Sequence, residues 1–414
     1  MWLLNTETLS LEAFGEAEVR ERPYAILSHT WGTEEVLFHE LQGGRAAVEH
    51  RAGWTKTTSF CATALECGFA YAWMDTCCID KRNSADLSEA INSMNKYYYD
   101  AAVCFIHLED VQVVAQSMGT LATREQLIAG VCASRWLTRG WTLQELVTPC
   151  QRRFFAADWS EIDGGVDLLD AIAKSTEISR ALLEDRDQVF GFCVGERIKW
   201  IAKRQTTREE DMAYSLMGLC KVNMPVLYGE GAANAFGRLQ REIMQSSFDM
   251  SIFAWRGDYE SSGLLAQSPA DFATVPPLRL WAPWSLAPFS MTNVGLSIRV
   301  NITDEEQIRV QGNFKEPPDD GRLLAALQCD VQTPTGQWQI PLIHLEPVES
   351  ATFFVNGKIR RAYRRIQCAE WITIPSQQLS GCPYKDVLVL QNEQYELVRR
   401  ATEQHMSRWK KRGG

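Results

Sequence analysis

Short unbroken apolar runs alternate with amphipathic stretches through residues 1–157. Tyr24–Ser28, Ala70–Asp75 and Ala102–Leu108 read as buried strands. Between the first two, Phe60, Ala64 and Cys67 recur at helical spacing, and Gly68 stops the helix they predict over Trp54–Cys67. Leu87, Ile91, Met94 and Tyr98 mark a second amphipathic helix with Ser84 as its N-cap. A further helix is expected over Thr123–Cys132. Alternation of this kind predicts a parallel sheet covered by helices, an α/β unit.

Residues 158–257 turn mainly helical. Thr207-Arg-Glu-Glu210 fits a capping box ahead of Met212, Leu216 and Leu219. Asn223–Gly231 breaks the pattern before Phe236, Leu239, Ile243 and Met244 resume it. The charges of Arg208, Glu209, Glu210 and Asp211 are expected to dock these helices on the sheet. Over 258–383 the pairs Pro276-Pro277 and Pro317-Pro318 punctuate short alternating runs such as Leu296–Val300 and Gln337–Ile343. Asn356-Gly357 reads as a hairpin turn, so this part is expected to be a mostly β domain. Lys358–Arg365 alternates basic residues along a strand, either as a guarded solvent edge or as a contact for an acidic partner. Residues 384–414 read as a C-terminal helix with a basic tail.

A hydrophobic content of 45% with 23% charged residues is that of a soluble globular chain. No apolar run is long enough to span a membrane, and no secretory signal opens the chain, so a cytoplasmic protein is expected. A net charge of −10 argues against a general nucleic-acid binder. The twelve cysteines include no Cys-x-x-Cys pair and mostly sit in apolar segments, which points to reduced thiols and no metal site.

Candidate chemistry sits where three apolar runs end in polar and aromatic residues. Ser28, His29 and Trp31 follow the first strand, where a doubly wound sheet places ligands. Asp75 and Asp80 follow the second; they would bind ribose hydroxyls or Mg²⁺, or else cap the turn and pair with Lys81 or Arg82. Cys77 and Cys78 admit a thiol nucleophile with His29 as base, although adjacent cysteines point in different directions. In Ser134–Glu145, helical spacing puts Trp141 and Glu145 on one face, with Arg139 near the helix start as a phosphate contact. Glu145 is either a site carboxylate or a partner for Arg135 or Arg139.

Several blocks in fixed order resemble the HET domain of fungal heterokaryon-incompatibility proteins. They are Leu3–Leu9, Tyr24–Gly32, Trp73–Asp80, Leu87–Met94, Arg139–Leu146, Thr206–Tyr214 and Asn223–Gly231. The resemblance implies a role in non-self recognition, a form of innate immunity, and in programmed cell death. The chain lacks a Gly-x-x-x-x-Gly-Lys-Ser/Thr loop and Trp-Asp propeller repeats, so control is expected from its β domain or another chain. The HET blocks are in turn similar to TIR domains, which implies a TIR/flavodoxin-like parallel sheet with helical additions over 1–157 and 158–257. Ala25–Ser28 would match the first TIR strand, and Ser134–Trp141 followed by Glu145 is similar to the TIR pattern of Ser, Trp and Glu. Thr142 departs from that pattern, where Cys is common. In TIR domains that hydrolyse NAD this Glu is catalytic, so the resemblance implies Glu145 as the catalytic residue and NAD(P) as substrate, with no resident cofactor.

Two readings follow. One is an NAD(P) glycohydrolase switched on by self-association into oligomers; the other is a non-enzymatic death adaptor that recruits an incompatibility or sensor partner. An indole beside a carboxylate suits the first, since it offers a ring surface next to a group that stabilises a positive ribose.

Overall fold

The computed structural model describes residues 1–112, 121–163, 165–280, 288–304, 308, 321–355, 358–379 and 381–412. The Pro317-Pro318 and Asn356-Gly357 turns expected from the sequence lie outside these residues. The chain forms two units: Met1–Gly191 with Lys203–Ala232, and Phe192–Ala202 with Ala233–Gly414. Residues 158–257, read from sequence as one helical stretch, are thus shared between them.

The first unit is built on a sheet of six strands: β1 (Trp2–Asn5), β2 (Leu11–Ala13), β3 (Tyr24–His29), β4 (Tyr71–Trp73), β5 (Val103–His107) and β6 (Arg152–Phe155). Their spatial order is β2-β1-β4-β3-β5-β6. β3 pairs in parallel with β4 and β5, and β5 with β6; β1 adds an antiparallel hairpin beside β4. The four parallel strands therefore run second-first-third-fourth, the doubly wound flavodoxin order, whose switch point lies between β3 and β5. Every residue of β3 and of β5 is buried, as strands covered on both faces should be. The mixed α/β class with a parallel sheet and a β-rich C-terminal part is as the alternating pattern implied.

Helices Ala52–Glu66 and Ser84–Asp100 make the crossovers into β4 and β5. Gly68 follows the first with φ +86°, a conformation that favours glycine. The second is capped by Asn83, whose side chain accepts from Ala85 N at 3.0 Å, one residue before the expected Ser84. The expected capping box at Thr207–Glu210 does not form: helix Asp211–Tyr214 starts after Glu210 without a side-chain cap. The Glu210 Oε1 atom instead accepts from Gly229 N and Gly231 N at 2.7 and 3.2 Å, tying the 227–231 loop to this helix.

Among its described residues the second unit holds ten strands: β7 (Ser261–Ser262), β8 (Leu278–Leu280), β9 (Phe289–Thr292), β10 (Gly295–Thr303), β11 (Leu323–Ala326), β12 (Cys329–Gln332), β13 (Trp338–Val355), β14 (Lys358–Ile366), β15 (Ile372–Ile374) and β16 (Tyr384–Val389). β14 pairs with β16, β16 with β10, β10 with β11, β11 with β13 and β13 again with β14, so the sheet closes on itself. Closure corrects the reading of Lys358–Arg365 as a solvent edge. β14 is flanked on both sides, and Arg364 and Arg365 are buried. Arg365 donates to Phe253 O at 3.0 Å and Trp255 O at 2.6 Å while its guanidinium lies 3.9 Å from the Trp255 ring. Residues 384–389, assigned from sequence to the C-terminal helix, form β16, and the helix runs over Asn392–Arg412. Among the described residues no helix is long and apolar enough to cross a membrane.

Candidate functional site

At the C-terminal end of β3, beside the switch point, the first unit encloses a cavity of about 270 Å³. Its lining includes His29, Trp31, Asp75, Arg139, Trp141 and Glu145, so the structure brings together six of the eight residues singled out from sequence. Three blocks separated in the chain meet here because β3 and β4 are neighbours and helix Thr142–Val147 packs on β3. The two remaining residues are placed elsewhere.

Ser28 is fully buried and does not line the cavity; it stands behind Glu145. Its hydroxyl donates to Glu145 Oε2 and accepts from the Trp136 indole N–H at 2.7 Å. The expected substrate contact is therefore corrected to a residue that holds the carboxyl. Asp80 is turned away as well: it lines a separate small cavity with Met1, Trp2 and Trp73, and its carboxylate accepts from Arg82 N at 3.0 Å. A side chain spent on its own turn has no reach to the β3 end.

Glu145 is 8% exposed and aimed at the cavity from a six-residue helix. Burial pushes its carboxyl up to about 8; the Ser28 hydrogen bond works against this, the Asp75 charge adds to it, and Arg139 opposes it. The Tyr98 hydroxyl, donating to Leu27 O at 3.0 Å, also borders the carboxyl. Thr142, where the related pattern has Cys, donates to the carbonyls of Trp136 and Arg139 at 2.6 and 2.9 Å and so shapes the turn before Glu145. Buried Arg204 supports the same turn through Arg139 O and Thr142 Oγ1, both at 3.0 Å.

His29 gains the orienting partner that its sequence context did not reveal. The Nε2 atom lies 3.2 Å from Asp75 Oδ1, and Nδ1 lies 3.1 Å from Thr30 O and 3.2 Å from Lys56 Nζ. Both ring nitrogens are engaged, so His29 orders the wall and is poorly placed as a general base. Asp75 also accepts from the Trp31 indole at 2.9 Å, with Lys81 Nζ at 3.6 Å. Burial alone would raise the Asp75 carboxyl, but the Lys81 charge and the His29 and Trp31 hydrogen bonds outweigh it and hold the group well below the usual carboxylate range. The Lys81 ammonium sits 3.5 Å from the centre of the Trp31 ring and, among the described residues, has no partner within hydrogen-bond distance.

The sequence did not single out the rest of the lining. Thr207, Arg208, Asp211 and Tyr228 come from the block read as a docking element. Tyr228 donates to Asp211 Oδ1 at 2.9 Å and lies 3.9 Å under the Arg208 guanidinium. Burial raises the Asp211 carboxyl, with the neighbouring Trp141 indole, the Tyr228 hydroxyl and the Arg208 charge opposing it. Mixed charge with a Tyr-Gly-x-Gly loop was the available signal, but it does not tell a packed ion network from a cavity wall.

Cys77 and Cys78 are buried outside the cavity lining. A hydrogen bond with Cys78, followed by burial, pushes the Cys77 thiol well above its ordinary value. A thiol held protonated is a poor nucleophile, which removes the thiol-hydrolase reading. Among the described residues no group of three or more His, Cys, Asp or Glu side chains is placed to hold a metal ion.

Comparison with known proteins covers part of this cavity, the lining from His29 to Tyr98. Residues 24–120 match the family model described as Heterokaryon incompatibility protein (HET), and residues 234–291 match a domain of unknown function (DUF8212). Vegetative incompatibility protein HET-E-1 of Podospora anserina is 42% identical over 224 residues, which is 53% of this chain. The alignment covers 16% of that relative's own length. No solved structure matches the chain. The chain therefore carries a segment, residues 24–120, that matches the heterokaryon-incompatibility (HET) domain, and it is similar to an incompatibility protein over 53% of its length.

Proposed function

We propose that the first unit is a glycohydrolase that cleaves NAD(P) to nicotinamide and ADP-ribose (phosphate), and that this activity serves heterokaryon incompatibility by draining the cofactor and killing the cell. The observation that carries the reading is Glu145: a buried carboxyl aimed into a cavity, one helical turn from an indole, with Arg139 and Arg208 on the same lining. At about 270 Å³ the cavity is at the low end of ligand sites and suits one nucleoside-sized part of a dinucleotide.

The chemistry needs no resident cofactor. The bond between ribose C1′ and the pyridinium nitrogen breaks, and its electron pair returns to the ring, which leaves as neutral nicotinamide. Positive charge develops on the ribose as in glycoside hydrolysis, and an ionised Glu145 stabilises it. Water then adds at C1′, and its proton passes to the carboxylate and on to solvent. A carboxyl raised to about 8 is largely protonated at neutral pH, but a cationic ring entering beside it favours the ionised form. Binding and activation are thereby linked.

Expression in cells tests the function. Wild type should kill while cellular NAD falls, Glu145→Gln should do neither, and Glu161→Gln, an exposed partner of Arg153, should behave as wild type. Death by a folded Glu145→Gln protein without NAD loss would leave the adaptor reading instead. Turnover per molecule should rise with protein concentration if self-association is the switch; an equal rate across dilution rejects that part.

A further inference from the structure

Of the aromatic side chains that line the cavity, Trp31, Trp141 and Tyr228 are not equivalent. Trp31 has the Lys81 ammonium 3.5 Å from its ring centre, and Tyr228 has the Arg208 guanidinium 3.9 Å from its own. Each already carries a resident cation, the arrangement in which a ring quadrupole is satisfied. Trp141 differs: among the described residues no ring or cation stacks on it, although it lines the cavity. Two carboxyl groups share the lining with it, Glu145 one turn along its helix and Asp211. Asp211 accepts from Tyr228 at 2.9 Å, which fixes its carboxyl on the lining. The Tyr228 loop is fixed in turn, through Glu210 to Gly229 N and Gly231 N and through Leu227 N to the Tyr214 hydroxyl at 2.9 Å.

We propose that Asp211 is a specificity residue: fixed by Tyr228 on the lining it shares with Trp141, its charge makes the open Trp141 face select flat cationic rings over neutral ones. The ligand class is an N-alkylated pyridinium or a similar cationic heteroaromatic. A neutral ring gains only stacking on Trp141, whereas a cationic ring gains the indole quadrupole and the Asp211 charge in addition. The inference rests on the nucleotide reading for which ring is meant, and it extends that reading to a stated preference for the oxidised, positively charged cofactor.

The test uses 1-methylnicotinamide, a pyridinium with no glycosidic bond to break, against neutral nicotinamide, each titrated calorimetrically into the full chain. Wild type is expected to prefer the cation by roughly tenfold, the scale of a partly desolvated cation–π contact. Asp211→Asn keeps an acceptor for Tyr228 but loses the charge, so nicotinamide affinity should stay within about twofold while the preference collapses toward unity. If Asp211→Asn does not fold by thermal melting, Trp141→Leu serves in its place and should also abolish the preference. Equal wild-type affinity for the two probes, binding of neither, or a preference unchanged in the variant would each overturn the proposal. An Asp211-dependent preference without NAD cleavage would remove the glycohydrolase reading and leave this one. Cleavage with an Asp211-independent preference would do the reverse.

Discussion

Ser28 and Glu145 lie 117 residues apart in the chain and share a hydrogen bond in the interior of the first unit. The serine is the penultimate residue of a parallel strand, the glutamate projects from a short helix, and the Trp136 indole completes the relay. Because the bond favours the ionised carboxylate, it opposes the burial that raises Glu145. Ser28→Ala should therefore move the acid limb of kcat/KM upward from about 8 by about one pH unit, since a hydrogen bond to a charged group contributes about 1.5 kcal/mol or more. The pH–rate profile of the variant against wild type checks this; superimposable profiles would mean the hydroxyl does not tune the carboxyl.

Glu145 should also leave a mark on stability. Its folded-state pKa is raised to about 8 from an ordinary value of 4.5, so between these values the folded protein binds the proton that the unfolded chain has released. Stability should fall as pH rises through this window, by at most about 1.4 kcal/mol for each pH unit crossed, and level off above it. Glu145→Gln removes the dependence and should be more stable than wild type at pH 9 but not at pH 4. Urea melts across this range read the difference directly.

Much of the first unit was legible from its pattern. Strands β3 and β5 are buried on both faces and so are continuous apolar runs, and i,i+4 spacing set Trp141 and Glu145 on one face. What was not legible depends on which side chain a residue meets across the fold. Pairing of Asp75 or Asp80 with Lys81 or Arg82 was expected, but not which carboxylate takes which cation: Lys81 sits at Asp75, against the Trp31 ring. Tyr228 and Asp211 join the cavity only because the loop returns to the helix after Glu210. In the second unit, alternation marked strands but could not show that β13 and β14 close the sheet, which is what buries Arg365.

The pair Cys77 and Cys78 should be chemically silent. The double variant Cys77→Ala/Cys78→Ala should lose no more than about twofold in turnover while losing stability to the small cavities it leaves, about 1–2 kcal/mol. Turnover abolished in a folded double variant would restore a thiol role.

Gly218 should tolerate no side chain. A Cβ there would overlap the Asn95 side chain on the helix whose Leu87, Ile91, Met94 and Tyr98 line the cavity. Gly218→Ala is expected to cost about 1–3 kcal/mol by overpacking and to raise KM more than it lowers kcat. Thermal melts with steady-state kinetics separate the two effects.

Arg365 is the corresponding buried charge of the second unit. Arg365→Ala removes the guanidinium donors from Phe253 O and Trp255 O, leaving the latter only the Trp371 indole at 3.3 Å, and should destabilise by about 3 kcal/mol or more, and Arg365→Lys should recover only part of this. A melt of either variant matching wild type would contradict the assignment.

The most direct measurement is nicotinamide release from NAD by the purified chain, with Glu145→Gln and Glu161→Gln compared at equal protein concentration. Wild type and Glu161→Gln should release nicotinamide at similar rates, and Glu145→Gln should be slower by about 100-fold or more, the loss expected when a group that stabilises transition-state charge is removed. Release by Glu145→Gln at the wild-type rate, or no release by wild type at any protein concentration, would contradict the account.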